Sequence, residues 1–444
     1  MRESNLLTQC RQALELARER GADGIEVFGQ TTRNLTSTIE KNDLQISKSR
    51  QETRIGVRAF LGDRVGFAST NDLTKLEDAA TDAVILAKAS PGDPHNVLPE
   101  PNGTPSVDGV YDPTAESFTT EDAVRYAIRM LEFARSMDSR VIVGDGEFSA
   151  EIQQRAVVNS SGFEVEERGS TFTYYLLTTA KEGERVSNFD FQFGASRIVS
   201  EIDVEPVTRR ACENALGSLG AEKGESFKGQ ILLTPSAVHQ ILEPVLTQIN
   251  ARNVLRGMSR WKDSIGTAVA APSLTWVDDG RLPGGIATSS FDREGVPHQR
   301  LTVIESGILR SFLHNTYTAH AFRIANTGHA IGSAGSLPGI GPTNLMILPG
   351  DLSKDALVSE IKQGLLVSRF SGNSDPISGD FSGVAKGAHL IKNGKIARPV
   401  SGSLIAGNVF EALKNLSGIS KERERVFNFI YPYLRLKDVS VTAE

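Results

Sequence analysis

The chain reads as an α+β protein of two domains, an N-terminal mixed α/β half carrying an antiparallel meander and a C-terminal half rich in sheet. Three observations predict this. The 444 residues exceed what one hydrophobic core usually organises. The first half alternates helical stripes of apolar residues with short β-branched runs. The second is glycine-dense between Gly328 and Gly407, which suits tight turns and close backbone approach.

Leu6, Leu7, Cys10, Ala13, Leu14 and Ala17 recur at helical spacing, and Gly21 stops the pattern where a C-cap glycine would. The texture then changes to Ile25–Phe28, Leu35–Ile39, Ile55–Phe60 and Val65–Ala68, the last two separated by Gly62-Asp63, which predicts a meander. A second helix is expected from about Asn71 to Lys88. Six prolines between Ser90 and Pro113 predict a long surface loop. Thr119 followed by Asp122 is a capping-box variant ahead of a helix through Met137. Strand-like runs resume from Val141 to about Arg197, and one more helix is expected near Val207–Leu219. The polar stretch Gly220–Ser226 places the domain boundary, giving domains 1–225 and 226–444. Beyond it, Ser306-Gly307 and Asn393-Gly394 sit between apolar runs as hairpin turns, and strands outnumber helices.

Lys plus Arg is 48 against 54 Asp plus Glu, so there is no overall field to draw in a phosphate backbone, and direct nucleic-acid contact is not expected. No run of eighteen apolar residues predicts a membrane span. Two cysteines far apart predict neither a disulfide framework nor a thiolate pair for zinc, and fit a reducing cytosol. The only Gly-Lys pair, Gly394-Lys395, lies in a hairpin and makes no P-loop. Ser382 lacks the flanking glycines of a serine-hydrolase elbow. Seven histidines include no His-Glu-x-x-His. His239 and Glu243, four apart, read as a solvated pair on one helical face. His314, His320 and His329 read as turn and surface residues, and Asp278-Asp279-Gly280 as a turn after a strand.

The C-terminal half resembles the PmbA/TldE branch of the TldD/PmbA family. The match is carried by Arg256-Gly257-Met258-Ser259, Leu274 through Gly280, Ser290 through Val296, Asn326 through Ala330, Ile377 through Gly387 and Ile405 through Asn408. Looser agreement over Gly21–Val27, Ile55–Arg58 and Gly66–Thr70 extends it to nearly the whole chain. The family's catalytic branch carries His-Glu-x-x-x-His on a helix shortly before an Arg-Gly-Thr-Ser stretch, and a cysteine near the C-terminus. Here the corresponding window is Leu242-Glu243-Pro244-Val245-Leu246-Thr247, with no cysteine after Cys212. Only Glu243 survives; Leu242 has no lone pair and Thr247 is a poor zinc ligand.

The resemblance therefore implies an α+β architecture in both halves and a cytoplasmic, non-metal-binding subunit with no cofactor of its own. A TldD-type partner would supply zinc and the hydrolytic step. The substrates implied are extended chains: unfolded peptides, or leader peptides of ribosomally made antibiotics. Asp380, Ser382, Asn408 and His329 are the expected peptide-channel or interface residues, since dense glycine beside them lets backbone approach a ligand. The glycines also suit plain hairpins. Two further readings stay open, an independently active peptidase with an unrecognised site and a non-proteolytic regulator of the DNA-gyrase-modulator kind. A homodimer of the isolated chain also stays open.

Overall fold

A computed structural model describes residues 5–100, 103 and 106–443. Helix α1 (Leu6–Glu19) buries Leu6, Cys10, Ala13, Leu14 and Ala17, and Asn5 caps it by accepting from the Leu7 amide at 2.9 Å. Strands β1 (Gly24–Glu40) and β2 (Asp43–Leu61) then form one long hairpin, paired from Gly24↔Phe60 to Glu40↔Asp43. Its turn is Lys41-Asn42, with φ of 51° and 65°, the two positive values of a type I′ turn.

The sequence pattern broke this hairpin into separate short runs because its middle is polar. That middle remains strand because β1 is paired on both sides, to β2 and to β4 (Val141–Asn159); ladder hydrogen bonds need backbone, not apolar side chains. With β3 (Arg64–Thr70), β5 (Glu164–Glu182), β6 (Arg185–Val186) and β7 (Asp190–Ser196), the strands make an antiparallel sheet of order β3-β2-β1-β4-β5, with β6 and β7 both on β5.

Helices α2 (Leu76–Ala89), α3 (Thr120–Met137) and α4 (Glu205–Gly217) complete the first half. Asp72 caps a 3₁₀ turn ahead of α2, so that helix begins later than its sequence pattern. Thr119 and Asp122 form the reciprocal capping box expected for α3. One sheet face carries helices at both ends. α1 and α2 pack over Ile25, Val27, Ile55, Val57 and Val158, and α3 and α4 over Leu35, Ile39, Phe148, Phe172 and Leu176. Between the pairs lies a polar groove of about 1000 Å³ lined by Thr31, Arg33, Thr53, Gln153 and Glu166 among others.

α2 approaches β3 closely enough that a Cβ on Gly66 would stand 2.1 Å from the Ala83 carbonyl oxygen and 2.2 Å from the Ala87 nitrogen. Backbone cannot yield there as a side chain can. Gly66→Ala is expected to lower stability by about 1–3 kcal/mol, read as a fall in the denaturation midpoint.

After α4 the chain enters a second sheet at Glu222–Lys223, which pairs with Lys395–Ser401, so the crossover lies at 218–221. The hub of this sheet is the strand Phe429–Ala443. It pairs with Phe227–Leu233, Leu345–Ile347, Ser403–Asn408 and Leu416–Val426. The Ser306-Gly307 and Asn393-Gly394 hairpins form as expected.

The two halves are joined by a buried charge quartet. Glu26 on β1 accepts from Arg58 on β2 and from Arg293, the latter at 3.1 Å, and Arg58 also donates to Glu294 at 2.9 Å. The second Glu294 oxygen accepts the Thr316 amide at 2.8 Å. All four charged side chains are at most 9% exposed.

Candidate functional site

The window Leu242–Thr247, which the resemblance sets where the catalytic branch carries its metal helix, is a corner. Helix α5 (Pro235–Ile241) starts at the cap Thr234 and ends at Leu242, and α6 (Glu243–Ile249) begins immediately after, with Pro244 in its first turn. Proline lacks the amide that would continue α5 and its ring crowds the preceding turn. The consequence is divergence: Leu242 is 2% exposed in the main core, Glu243 is exposed and Thr247 half-buried. Two of the three positions lack ligand chemistry and the third faces solvent, so the residues do not fit a zinc site. Among the described residues, no group of three His, Cys, Asp or Glu side chains is placed to hold a metal.

The expected solvated pair of His239 and Glu243 does not form, because the corner at Leu242 puts them on different helices. His239 instead packs against Phe429 with ring centroids 4.7 Å apart, and against Phe427 and Tyr431. Burial pulls its pKa down to about 4.

The corner is tied to the sheet residues by side chains the sequence reading did not single out. Gln248, fully buried, donates to the Pro376 carbonyl at 2.6 Å and accepts from the Arg260 amide at 2.8 Å. Arg260 donates to the Ser378 carbonyl at 3.1 Å and lies over the Phe410 ring. Asn408 donates to the same Ser378 carbonyl and to Asp380, both at 2.8 Å. Its own carbonyl caps the helix Val409–Lys414, so Asn408 has a structural role whatever else it touches. A glutamine directly after the degenerate window is the one signal of these side chains in the sequence.

Asp380 and Ser382 stand on Asp380–Lys386, where Asp380 faces Asn408 and Ser382 faces Ala406 and Asn373. Residues opposite one another share a face, so these form one exposed, small and polar platform. Its glycines let strands touch: a Cβ on Gly383 would stand 2.5 Å from the Gly372 Cα. The outer strand Arg369–Ser374 pairs on one side only among the described residues. Gln240 accepts its Phe370 amide at 2.6 Å. By ladder alternation, the Gly372 and Ser374 amides also point to the open edge, and the Ser374 hydroxyl is buried without a partner.

His329 does not join this platform. It is 1% exposed, with Nε2 3.1 Å from Asp278 and Nδ1 2.8 Å from the Thr327 hydroxyl. Asp278 lies in the strand Trp276–Asp279, not in a turn, and is wholly buried. It also accepts the Thr343 amide at 2.9 Å. His314 is likewise buried, its pKa pulled down to about 4, first by burial and then by His329. The surface and turn expectations for Asp278, His314 and His329 fail for two reasons: Asp278 and His329 satisfy one another in the core, whereas the His314 ring packs between Phe312 and Phe322 with its Nδ1 left unpartnered. Only His320 of that set is exposed.

Asp278, His329 and Thr327 have the connectivity of a carboxylate–imidazole–hydroxyl triad, yet all three are at most 6% exposed and offer no substrate a way in. Burial also pushes the Cys10 thiol to about 12 and that of Cys212 to about 11, so neither is a thiolate nucleophile near neutral pH.

Residues 25–87, 113–219 and 226–443 match the three successive domains of one family, described as PmbA/TldA metallopeptidase domain 1, central domain and C-terminal domain. The first two are the halves of a single sheet here, joined by the β1–β4 ladder. A "Metalloprotease" of Methanothermobacter thermautotrophicus is 27% identical over 404 residues, covering 89% of this chain and 88% of that one. "Metalloprotease PmbA" of Escherichia coli O157:H7 is 25% identical over 443 residues, covering 97% and 95%. The crystal structure of TldE from Thermococcus kodakarensis superposes with a TM-score of 0.90 at 24% identity, covering 98% of this chain and all of that one. No helix among the described residues is long and apolar enough to cross a membrane. The chain is thus a member of the PmbA/TldD metallopeptidase family, of its PmbA (TldE) type.

Proposed function

We propose that this chain is the subunit that binds no catalytic metal, its metal-helix positions being degenerate, in a two-subunit zinc peptidase that acts on unfolded peptides or leader peptides in the cytoplasm. A TldD-type partner supplies the zinc, the general-base glutamate and the hydrolytic step. The observation that carries this reading is the α5–α6 corner. Leu242 is committed to the core, and without a metal-activated water Glu243 has no general-base role. This chain needs no cofactor for its own part.

Its contribution is one wall of the peptide channel. The platform of Asp380, Ser382 and Asn408 beside the half-open strand Arg369–Ser374 supports this role. An extended peptide can add to such an edge through backbone hydrogen bonds that ignore sequence, while small neighbours leave room for its side chains.

The test is cleavage of an unfolded peptide by the purified chain, by a TldD-type protein, and by the two co-expressed. Activity is expected only from the pair. Cleavage by this chain alone would overturn the assignment. Ser382→Lys, which fills the platform without touching the core, is expected to lower kcat/KM of the pair about tenfold, a loss of about 1.4 kcal/mol in transition-state binding. Undiminished cleavage by an intact complex would remove the platform from the channel.

A further inference from the structure

We propose that His95 and His320 form a two-histidine site for a divalent late first-row transition-metal ion, which clasps the N-terminal half of the chain to the C-terminal half. His95 lies in the proline-rich segment that follows α2. His320 lies on the exposed side of the helix Thr316–Phe322. Their Nδ1 atoms are 3.2 Å apart, with ring centroids at 5.5 Å and planes crossing at 62°.

That separation suits a metal. Two imidazole nitrogens bound at about 2.0–2.1 Å around a tetrahedral centre stand about 3.3–3.4 Å apart, so an ion enters with a shift of roughly a tenth or two of an ångström. Without a metal the pair must share one proton in opposite tautomers, because two N–H groups cannot face each other at this distance. Among the described residues neither Nε2 has a hydrogen-bond partner, so nothing on the far side of either ring dictates that tautomer choice. Imidazole nitrogens suit zinc, nickel and copper better than calcium or magnesium. With two protein ligands, water completes the coordination.

The pair is built rather than incidental. Asp93 accepts the His95 amide at 2.9 Å through one oxygen and the Tyr317 hydroxyl at 2.7 Å through the other. This pins the His95 segment to the helix that bears His320. The His95 ring also meets Tyr317 edge to face at 5.9 Å. The Asp93 carboxylate held by the His95 amide and the Tyr317 hydroxyl places a negative charge beside the site. Arg252, over the Tyr317 ring at 5.2 Å, offsets part of that charge.

The clasp has little competition within the chain. His298, His314 and His329 are buried, and His239 is enclosed by aromatic rings. Both ring nitrogens of His389 face backbone carbonyls, and both cysteines are buried. The site holds no general base and is separate from the α5–α6 corner, so this inference does not depend on the subunit assignment.

The experiment titrates NiCl2, and separately ZnCl2, into the chelator-stripped full-length chain, following bound metal by calorimetry and the unfolding temperature in parallel. One ion per chain is expected, with an unfolding temperature that rises with metal concentration, as ligation of the folded state requires. His95→Ala and His320→Ala should each weaken binding about tenfold or more and abolish the rise, while His389→Ala retains both. Circular dichroism establishes that the variants are folded. No binding by the wild-type chain, binding that survives His95→Ala/His320→Ala, or binding without a rise in unfolding temperature would each overturn the clasp. None of these results bears on peptide cleavage, which tests the subunit assignment by itself.

Discussion

Glu26→Ala is expected to destabilise the protein by about 3–5 kcal/mol, the usual cost of removing one member of a buried ionic network. Glu26 is the acceptor for both Arg58 and Arg293. Its loss leaves Arg58 with Glu294 alone and Arg293 with no carboxylate partner. The Arg293 guanidinium then keeps the Phe28 ring, 4.1 Å from its centroid, and weak contacts to the Ser333 and Ser336 carbonyls at 3.4 Å. The quartet joins β1 and β2 to the 291–296 segment and, through the Thr316 amide, to the helix Thr316–Phe322. The damage should therefore loosen the two halves from one another. Urea denaturation of Glu26→Ala against wild type checks the magnitude. Glu26→Leu/Arg293→Met, which replaces one buried pair by apolar groups, should recover part of the loss. A single-variant cost near zero would mean that the halves are held by something else.

Acidification should be nearly as damaging. Burial holds the imidazoles of His239 and His314 near 4 and that of His298 near 3, whereas unfolded histidine titrates at about 6.5. Between those values the unfolded chain binds up to three more protons than the folded one, so stability falls as pH drops from about 6.5 toward 4. Each group accounts for about 2 kcal/mol by pH 5. Buried carboxyls act in the opposite sense: burial raises Asp190 to about 6, whose protonation on the same descent returns about 1 kcal/mol, and it also raises Asp292, Glu151 and Glu147. The net expectation is a loss of several kcal/mol between pH 7 and pH 5, read from urea midpoints. His239→Phe, which suits the aromatic pocket and removes an unpartnered buried nitrogen, should flatten that pH dependence by about a third. An unchanged slope would show that His239 is not one of the groups responsible.

Some of this was readable from residues because the governing physics is local. The α1 stripe, the Thr119–Asp122 capping box and the Asn393-Gly394 hairpin each depend on a few neighbouring side chains and on φ preferences that a residue carries with it. The degenerate metal window was readable for the same reason: leucine cannot ligate a metal in any fold, and proline cannot continue a helix without its amide. The long β1–β2 hairpin was not readable, since its polar middle is held by ladders to β2 and β4, the latter over a hundred residues away.

The sequence by itself determined that this chain carries no His-Glu-x-x-x-His constellation, has two halves of different texture, and belongs with the PmbA type. Ligand chemistry, turn preference and hydrophobic period are properties of residues, and they survive any arrangement. Only the tertiary structure decided which polar residues face water. Asp278 and His329 went inward because they found partners in one another and in Thr327, and the His314 ring because it packs between Phe312 and Phe322, while Asp380 and Ser382 came out onto a glycine-packed platform. It also brought His95 within 3.2 Å of His320 and Glu26 onto Arg293. Such pairings span hundreds of residues, and their energy depends on distance and desolvation, neither of which exists until the chain has folded.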